Sequence, residues 1–406
     1  MPSNDTAKQA GTTARPRELA RDSITVSATN TSGGLLPTSP VELLQGLVKQ
    51  TQLLACLQWL GEFQILAYIP LTQRVAYDDL AHLTDVPPAQ IRRIVRTTAT
   101  AGFLCEPQPD HVAHTPLSVQ FVKRPSFLDA LMFTAETVVP TALRMAEATR
   151  QQVRYQRTDV NPYQIATNSS SSLAVACEKD AKLQRKASAF QRLTATSRAN
   201  AVTRLLSSMG WDGLGQTVVE VNAVSTATAK ALCDRNSALC YVVQMREDVK
   251  LADSTFSARQ TESRRNLKVQ RRAPRTAQTE TSAAVYLLHM PDPFFCASSG
   301  AHADLCTAEL RAHLDLLRVN GSATLILIAD VLPESGSPGA PVEAVARLQD
   351  LLLLQMGHEV PFDTKRLMGL LESARQDADR ITVVNRLSSP DHPVLALVLR
   401  ARPFHN

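Results

Sequence analysis

One short segment of this 406-residue chain is most informative for what it lacks. Residues 217–226 read TVVEVNAVST. The run of β-branched residues in Thr217–Val221 predicts a buried strand, and the residues after Thr226 predict a helix to about Arg235. A strand feeding a helix through a tight turn opens a nucleotide-type α/β domain. That turn usually carries several glycines, which take positive φ and let a cofactor lie against bare main chain. Here Asn222-Ala223-Val224-Ser225-Thr226 contains none. The branched Val224 puts a side chain where a ligand would approach. The expectation is a scaffold kept and a cofactor site lost, which moves the functional question from catalysis to binding.

Other absences narrow the field. The seven cysteines form no CxxC pair, which argues against a zinc site built on that unit, and no metal is expected. Their odd number without a framework predicts reduced, intracellular thiols. The N-terminal MPSNDTAKQAGTTARPRELARD has no apolar signal core, and no apolar run is long enough to span a bilayer. A soluble chain without membrane contact is expected. Net charge is +5 with 20% charged and 44% apolar residues. That mild excess would assist acidic partners without requiring nucleic acid.

Periodicity then divides the chain. Residues 1–38, rich in Ser, Thr, Ala and Asn, cannot bury a core and read as a disordered tail. Helical spacing begins at Ser39-Pro40-Val41, with Leu43, Leu44, Leu47, Val48, Leu53, Leu54, Leu57 and Leu60. Residues 76–118 read as helix, turn, a second helix opening near Pro88 and a hairpin around Pro107–Val112, the pattern of a winged helix. Ile91, Ile94 and Val95 share the inner face of its second helix. Arg92, Arg93 and Arg96 lie on the others, either as a DNA-reading set or, in the favoured reading, as a solvated face. Residues 39–156 form this first domain, and 157–210 a helical connector. From 211 to 406 strands alternate with helices, ending in two strands that predict an antiparallel hairpin.

The second half resembles the fungal O-methyltransferase family that modifies aromatic polyketides. The resemblance rests on element order and on AAVYLLHMPDPF, LRVNGSATLILIADVLPE and RLQDLLLLQMGHEVPFDTKRLMGLLESA. It implies an α+β winged-helix dimerisation domain followed by an α/β class I methyltransferase-like, Rossmann-like domain. Glu220 matches the acidic position of the family's cofactor loop. Asn222, Ala223, Val224 and Thr226 stand at its glycine places. Met245 stands where a ribose-binding carboxylate is usual, with Glu247 and Asp248 close behind. His289 matches the general base, but Met290-Pro291 replaces the Asp-Trp that follows it.

Because the departures gather at the cofactor pocket, the chain is similar to the aflatoxin-cluster type of transcriptional coactivator, a methyltransferase-shaped branch of the family; residues 161–190 carry much of that similarity. The branch implies no cofactor, a homodimer, a binuclear zinc-cluster activator as partner, DNA contact only through that partner, and residence in nucleus and cytoplasm. His289 would then be a relic. The alternatives are an active S-adenosylmethionine-dependent O-methyltransferase and direct DNA binding through the winged helix. The densest basic run, with Arg264, Arg265, Lys268, Arg271, Arg272 and Arg275, is read either as a signal for nuclear entry or a contact for an acidic partner, or alternatively as an exposed loop and edge strand with no such role. In it Leu267 and Val269 alternate inward.

Overall fold

Proline placed just inside helix starts, where its missing N–H costs nothing, sets much of the N-terminal half. A computed structural model describes residues 39–156, 160–211, 213–246, 266–296, 299–334, 340–358, 363–375 and 381–401. The chain divides into two compact units, Met1–Lys49 and Gln50–Asn406. In the first, the Ser39 hydroxyl accepts from the Glu42 N–H at 3.2 Å and starts α1 (Pro40–Glu62). Val41, Leu44 and Val48 recur at helical spacing on it, each 61% exposed.

The second unit continues through α2 (Ile65–Tyr68), β1 (Val75–Ala76), α3 (Tyr77–Thr84), α4 (Pro88–Thr100), β2 (Leu104–Gln108) and β3 (His111–His114). The three strands form an antiparallel sheet in the order β1-β3-β2. Helix, turn, helix and hairpin thus follow in the expected order. Leu80, Ile91, Val95, Leu104 and Val112 make its core.

The arginines of α4 are not simply solvated. Arg92 Nε donates to Asp110 at 2.8 Å, and Arg96 donates twice to Glu106, at 2.8 and 2.9 Å. The Arg96 guanidinium holds the Glu106 carboxyl down at about 2.

Helices then dominate: α5 (Pro116–Lys123), α6 (Pro125–Phe133), a π-helical turn at Thr134–Val138, α7 (Val139–Ala142), α8 (Met145–Tyr155), α9 (Pro162–Thr167), α10 (Leu173–Lys179) and α11 (Ala181–Ser207). The apolar stretch from Phe127 onward finds cover inside the chain, because α6 lies along α11. Ala130, Met132 and Phe133 are buried there. Arg185 pairs with Asp129 at 2.9 Å, and the buried Lys186 pairs with Glu136 of the π-turn. Phe133, Phe190 and Phe294 stack in one aromatic group with Tyr163 and Leu173 beside it.

The α/β half comprises β4 (Thr217–Ala223), α12 (Ala227–Arg235), β5 (Cys240–Arg246), β6 (Leu267–Arg272), β7 (Val285–His289), α13 (Ser299–Val319), β8 (Thr324–Asp330), α14 (Ala340–Gln355), α15 (Thr364–Ala374), β9 (Ile381–Ser388) and β10 (Val394–Ala401). Seven strands run in the order β6-β5-β4-β7-β8-β10-β9. β10 alone runs opposite to the other six strands. The central strands read as nearly continuous apolar runs because both faces are covered. Ala201, Val202 and Leu206 of α11 and Leu232 of α12 pack on one face; Leu310 and Leu314 of α13 and Leu367 of α15 pack on the other.

Candidate functional site

Strand order reverses between β4 and β7, and open α/β sheets bind ligands in the crevice outside the carboxyl ends at such a point. Here side chains of the protein itself span the crevice. Glu220 of β4 is 2% exposed, and its Oε1 lies 2.9 Å from Nε2 of His289 at the end of β7. Across the ring, Arg198 Nη1 of α11 lies 3.4 Å from His289 Nδ1. The Nε of the same arginine donates to both carboxylate oxygens of Asp330, at the end of β8, at 2.9 Å.

The donor inventory fixes the tautomer. Arginine has no acceptor, so Nδ1 presents its lone pair to Arg198 and the ring proton sits on Nε2, donating to Glu220. Both ring nitrogens of His289 are engaged. A general base needs a lone pair aimed at a substrate proton, and here the Nδ1 lone pair faces the Arg198 guanidinium. Glu220 Oε2 and the Tyr241 hydroxyl are buried without a hydrogen-bond partner.

A second clasp lies beside the first. Asn222 takes φ 59°, and its side-chain Nδ2 donates to the His289 carbonyl at 3.1 Å. The glycine-free turn therefore still contains a left-handed residue. Asparagine tolerates that region through its short polar side chain, so lack of glycine alters what fills the crevice rather than the path of the backbone. The reading that tied positive φ here to glycine is corrected accordingly.

The remaining cofactor-loop positions scatter. Ala223 is buried in the core, Val224 is 53% exposed, and Thr226 precedes α12 without a side-chain capping bond. Met245 is 4% exposed, packed in the apolar core with Tyr241 and Val243. Glu247 and Asp248 lie outside the described residues. Sequence reasoning missed Arg198 and Asp330. Asp330 carried a faint signal, an acid closing the apolar run LILIAD; Arg198, within a long helix, carried none.

The basic run also divides. Arg264 and Arg265 lie outside the described residues. Lys268 and Arg271 are exposed on β6, and Leu267 and Val269 pack inward as expected. Arg275 is exposed in the following turn. Arg272 contradicts its assignment to a solvated face: it is 7% exposed, and its Nη1 lies 2.7 Å from Glu309, itself 0% exposed. The alternation of the strand explains this, since Arg272 falls on the face that α13 covers.

No family model matches the chain. It is 38% identical over 424 residues to the monodictyphenone cluster transcriptional coactivator mdpA of Emericella nidulans, spanning 93% of this chain and 88% of that protein. It is 39% identical over 379 residues to the trypacidin cluster transcriptional coactivator tpcD of Aspergillus fumigatus, covering 91% and 84%. The chain belongs to the family of transcriptional coactivators of fungal secondary-metabolite gene clusters. A further relative, the dothistromin biosynthesis regulatory protein aflJ of Dothistroma septosporum, is 36% identical over 391 residues, covering 91% and 86%.

Solved structures share the fold of this chain. A riboflavin-type dimethyltransferase, RosA of Streptomyces davawensis, superposes with TM-score 0.68 at 15% identity, covering 90% of this chain and 100% of that one. The mitomycin 7-O-methyltransferase MmcR superposes with TM-score 0.60 at 19% identity, covering 89% and 98%. The sheet is thus of the class I methyltransferase type. Among the described residues no helix is long and apolar enough to cross a membrane, and no group of His, Cys, Asp or Glu is placed to hold a metal ion.

Proposed function

We propose that this coactivator is non-catalytic: it binds the zinc-cluster transcription activator of its own gene cluster, in the nucleus, and leaves DNA recognition to that partner. The observation that carries the reading is His289, whose two ring nitrogens are committed to Glu220 and Arg198. The residues present do not fit S-adenosylmethionine. Asn222 stands at a glycine place of the cofactor loop and clasps β4 to β7, and Met245 offers thioether instead of carboxylate near the end of β5.

Calorimetric titration of S-adenosylmethionine is expected to give no saturable isotherm. An isotherm, together with methyl transfer to an aromatic polyketide that disappears in His289→Ala, would establish the enzyme instead.

The N-terminal module is proposed as a winged-helix dimerisation unit. Arg92 and Arg96 are tied to carboxylates of the adjoining hairpin, which offsets two of the three arginines on the helix a DNA reader would use. In gel shifts the chain alone is expected to give no sequence-specific complex, and to supershift promoter DNA bound by the activator. A specific complex formed by the chain alone would contradict this.

The apolar stripe Val41, Leu44 and Val48, exposed on α1, supports a homodimer, because uncovered apolar stripes mark association surfaces. Light scattering at micromolar concentration should return twice the 44.3 kDa chain mass; a monomeric mass would refute the dimer.

A further inference from the structure

Edge strand β6 and the turn after it hold groups that the reading above leaves unused. β6 pairs in parallel with β5, and no described strand lies on its other side. Asn266 O accepts from Tyr241 N–H at 2.7 Å, so the backbone groups of Asn266 face β5. Alternate residues of a parallel strand point their backbone groups to the same side, so those of Leu267, Val269 and Arg271 point outward. Such an open row is a template for another strand. Side chains alternate across the pleat, so Lys268, which pairs with Glu280 at 3.2 Å, stands on one face of this edge and Arg271 on the other; both are exposed.

The turn beyond β6 is held from below. The Arg272 guanidinium donates to Glu309 Oε2 at 2.7 Å and to the Thr276 carbonyl. The other oxygen of Glu309 accepts from the Arg275 backbone N–H at 2.8 Å. Next to it Gln244 and Gln278 exchange amide hydrogen bonds at 2.6 and 2.7 Å. This scaffold keeps Arg275 at φ 63°, a region that a long side chain adopts only where its surroundings impose it. The Arg275 side chain, by contrast, is exposed. The turn spends buried polar groups on fixing a cation at the surface three residues past the end of β6.

We propose that the β6 edge, with Lys268, Arg271 and Arg275, is the docking site for an extended acidic segment of the partner regulator, which adds to the sheet as a further strand. The proposal rests on the coactivator reading. Main-chain hydrogen bonds to the outward groups of Leu267, Val269 and Arg271 supply the hold. Carboxylates on the two faces of the incoming strand meet Arg271 on one side and share Lys268 with Glu280 on the other, and Arg275 receives its end. Cations on an edge also repel apolar strands and basic ones, so the same residues supply selectivity.

The probe is a fluorescent peptide of about ten residues in which Glu-Glu pairs alternate with Val-Thr pairs, so that both faces of the extended peptide carry carboxylates, titrated into the full chain. Saturable binding that weakens with added salt is expected. Arg271→Glu combined with Arg275→Glu should weaken it by about tenfold or more with unchanged thermal melting, whereas the two lysine replacements keep most of it. N-methylation of alternate peptide amides, which preserves charge and removes the ladder, should weaken it comparably. Absence of saturable binding overturns the proposal. So does equal binding by the charge-reversed protein or by the N-methylated peptide. In the producing fungus, the charge-reversed chain should lower cluster transcripts toward the level of the gene deletion. Normal transcripts with that variant, alongside lost transcripts in the deletion, reject the docking site and leave the coactivator reading intact. Normal transcripts in the deletion reject the coactivator reading itself.

Discussion

Arg272→Ala should destabilise the folded chain by about 3–5 kcal/mol, the range for removing one partner of a buried ion pair. Its partner Glu309 is 0% exposed, and without the guanidinium it becomes a buried, unpaired carboxylate. The same change removes a donor from the Thr276 carbonyl and loosens the Glu309 clamp on the Arg275 N–H. Denaturant unfolding measures the loss. Arg271→Ala, one residue away and exposed, should stay within about 0.5 kcal/mol. Replacing both members, as Arg272→Met with Glu309→Leu, should restore much of the stability, because the large cost comes from stranding one charge rather than from losing the pair. If Arg272→Ala unfolds at the wild-type denaturant concentration, the pair contributes nothing and the turn is held by other means.

That contrast between neighbours marks how far the sequence could be read. The strands Thr217–Ala223 and Thr324–Asp330 were legible because both-face burial writes itself as an apolar run. The helix Pro88–Thr100 was legible from its proline and its period. Glu220 and His289 were legible as positions, through the family resemblance, but not as partners, since 69 residues separate them. Arg198 lies still further from Asp330 in the chain and was not legible at all, because a local pattern does not encode which face of a long helix meets which strand end. Arg272 was misread for a related reason. A run of basic residues looks solvated in composition, yet the period of the strand sends one of them inward, toward an acid on α13 that the run does not contain. Asn222 shows the reverse case: its residue type permitted the left-handed turn, but the expectation weighed only glycine.

Acidification should weaken the fold well before carboxylates titrate, through histidines that are buried as neutral rings. Burial pushes His313 down to about 4, with nearby Arg272 also opposing a proton there, while Glu309 acts in the opposite direction. His302, His358 and His392 are likewise lowered, chiefly by burial. In the unfolded chain a histidine titrates near about 6.5. Between that value and the lowered one the unfolded state binds protons that the folded state refuses. The stability is therefore complete above about pH 6.5 and drains away as pH falls toward about 4, where the folded His313 takes its own proton. A displacement from about 6.5 to about 4 corresponds to about 3 kcal/mol for His313, at about 1.4 kcal/mol per unit. The other lowered histidines shift in the same direction and should steepen the fall. Urea unfolding at about pH 7.5 and about pH 5 should show a clear drop in midpoint. In its present tautomer His313 donates from Nδ1 to the Glu309 carbonyl at 2.7 Å and accepts at Nε2 from Gln278. His313→Gln can keep a donor and an acceptor there without titrating, so it should flatten the pH dependence even where it lowers overall stability. A wild-type midpoint that does not move between the two pH values, or a His313→Gln profile as steep as the wild type, would remove His313 as the source of the acid sensitivity.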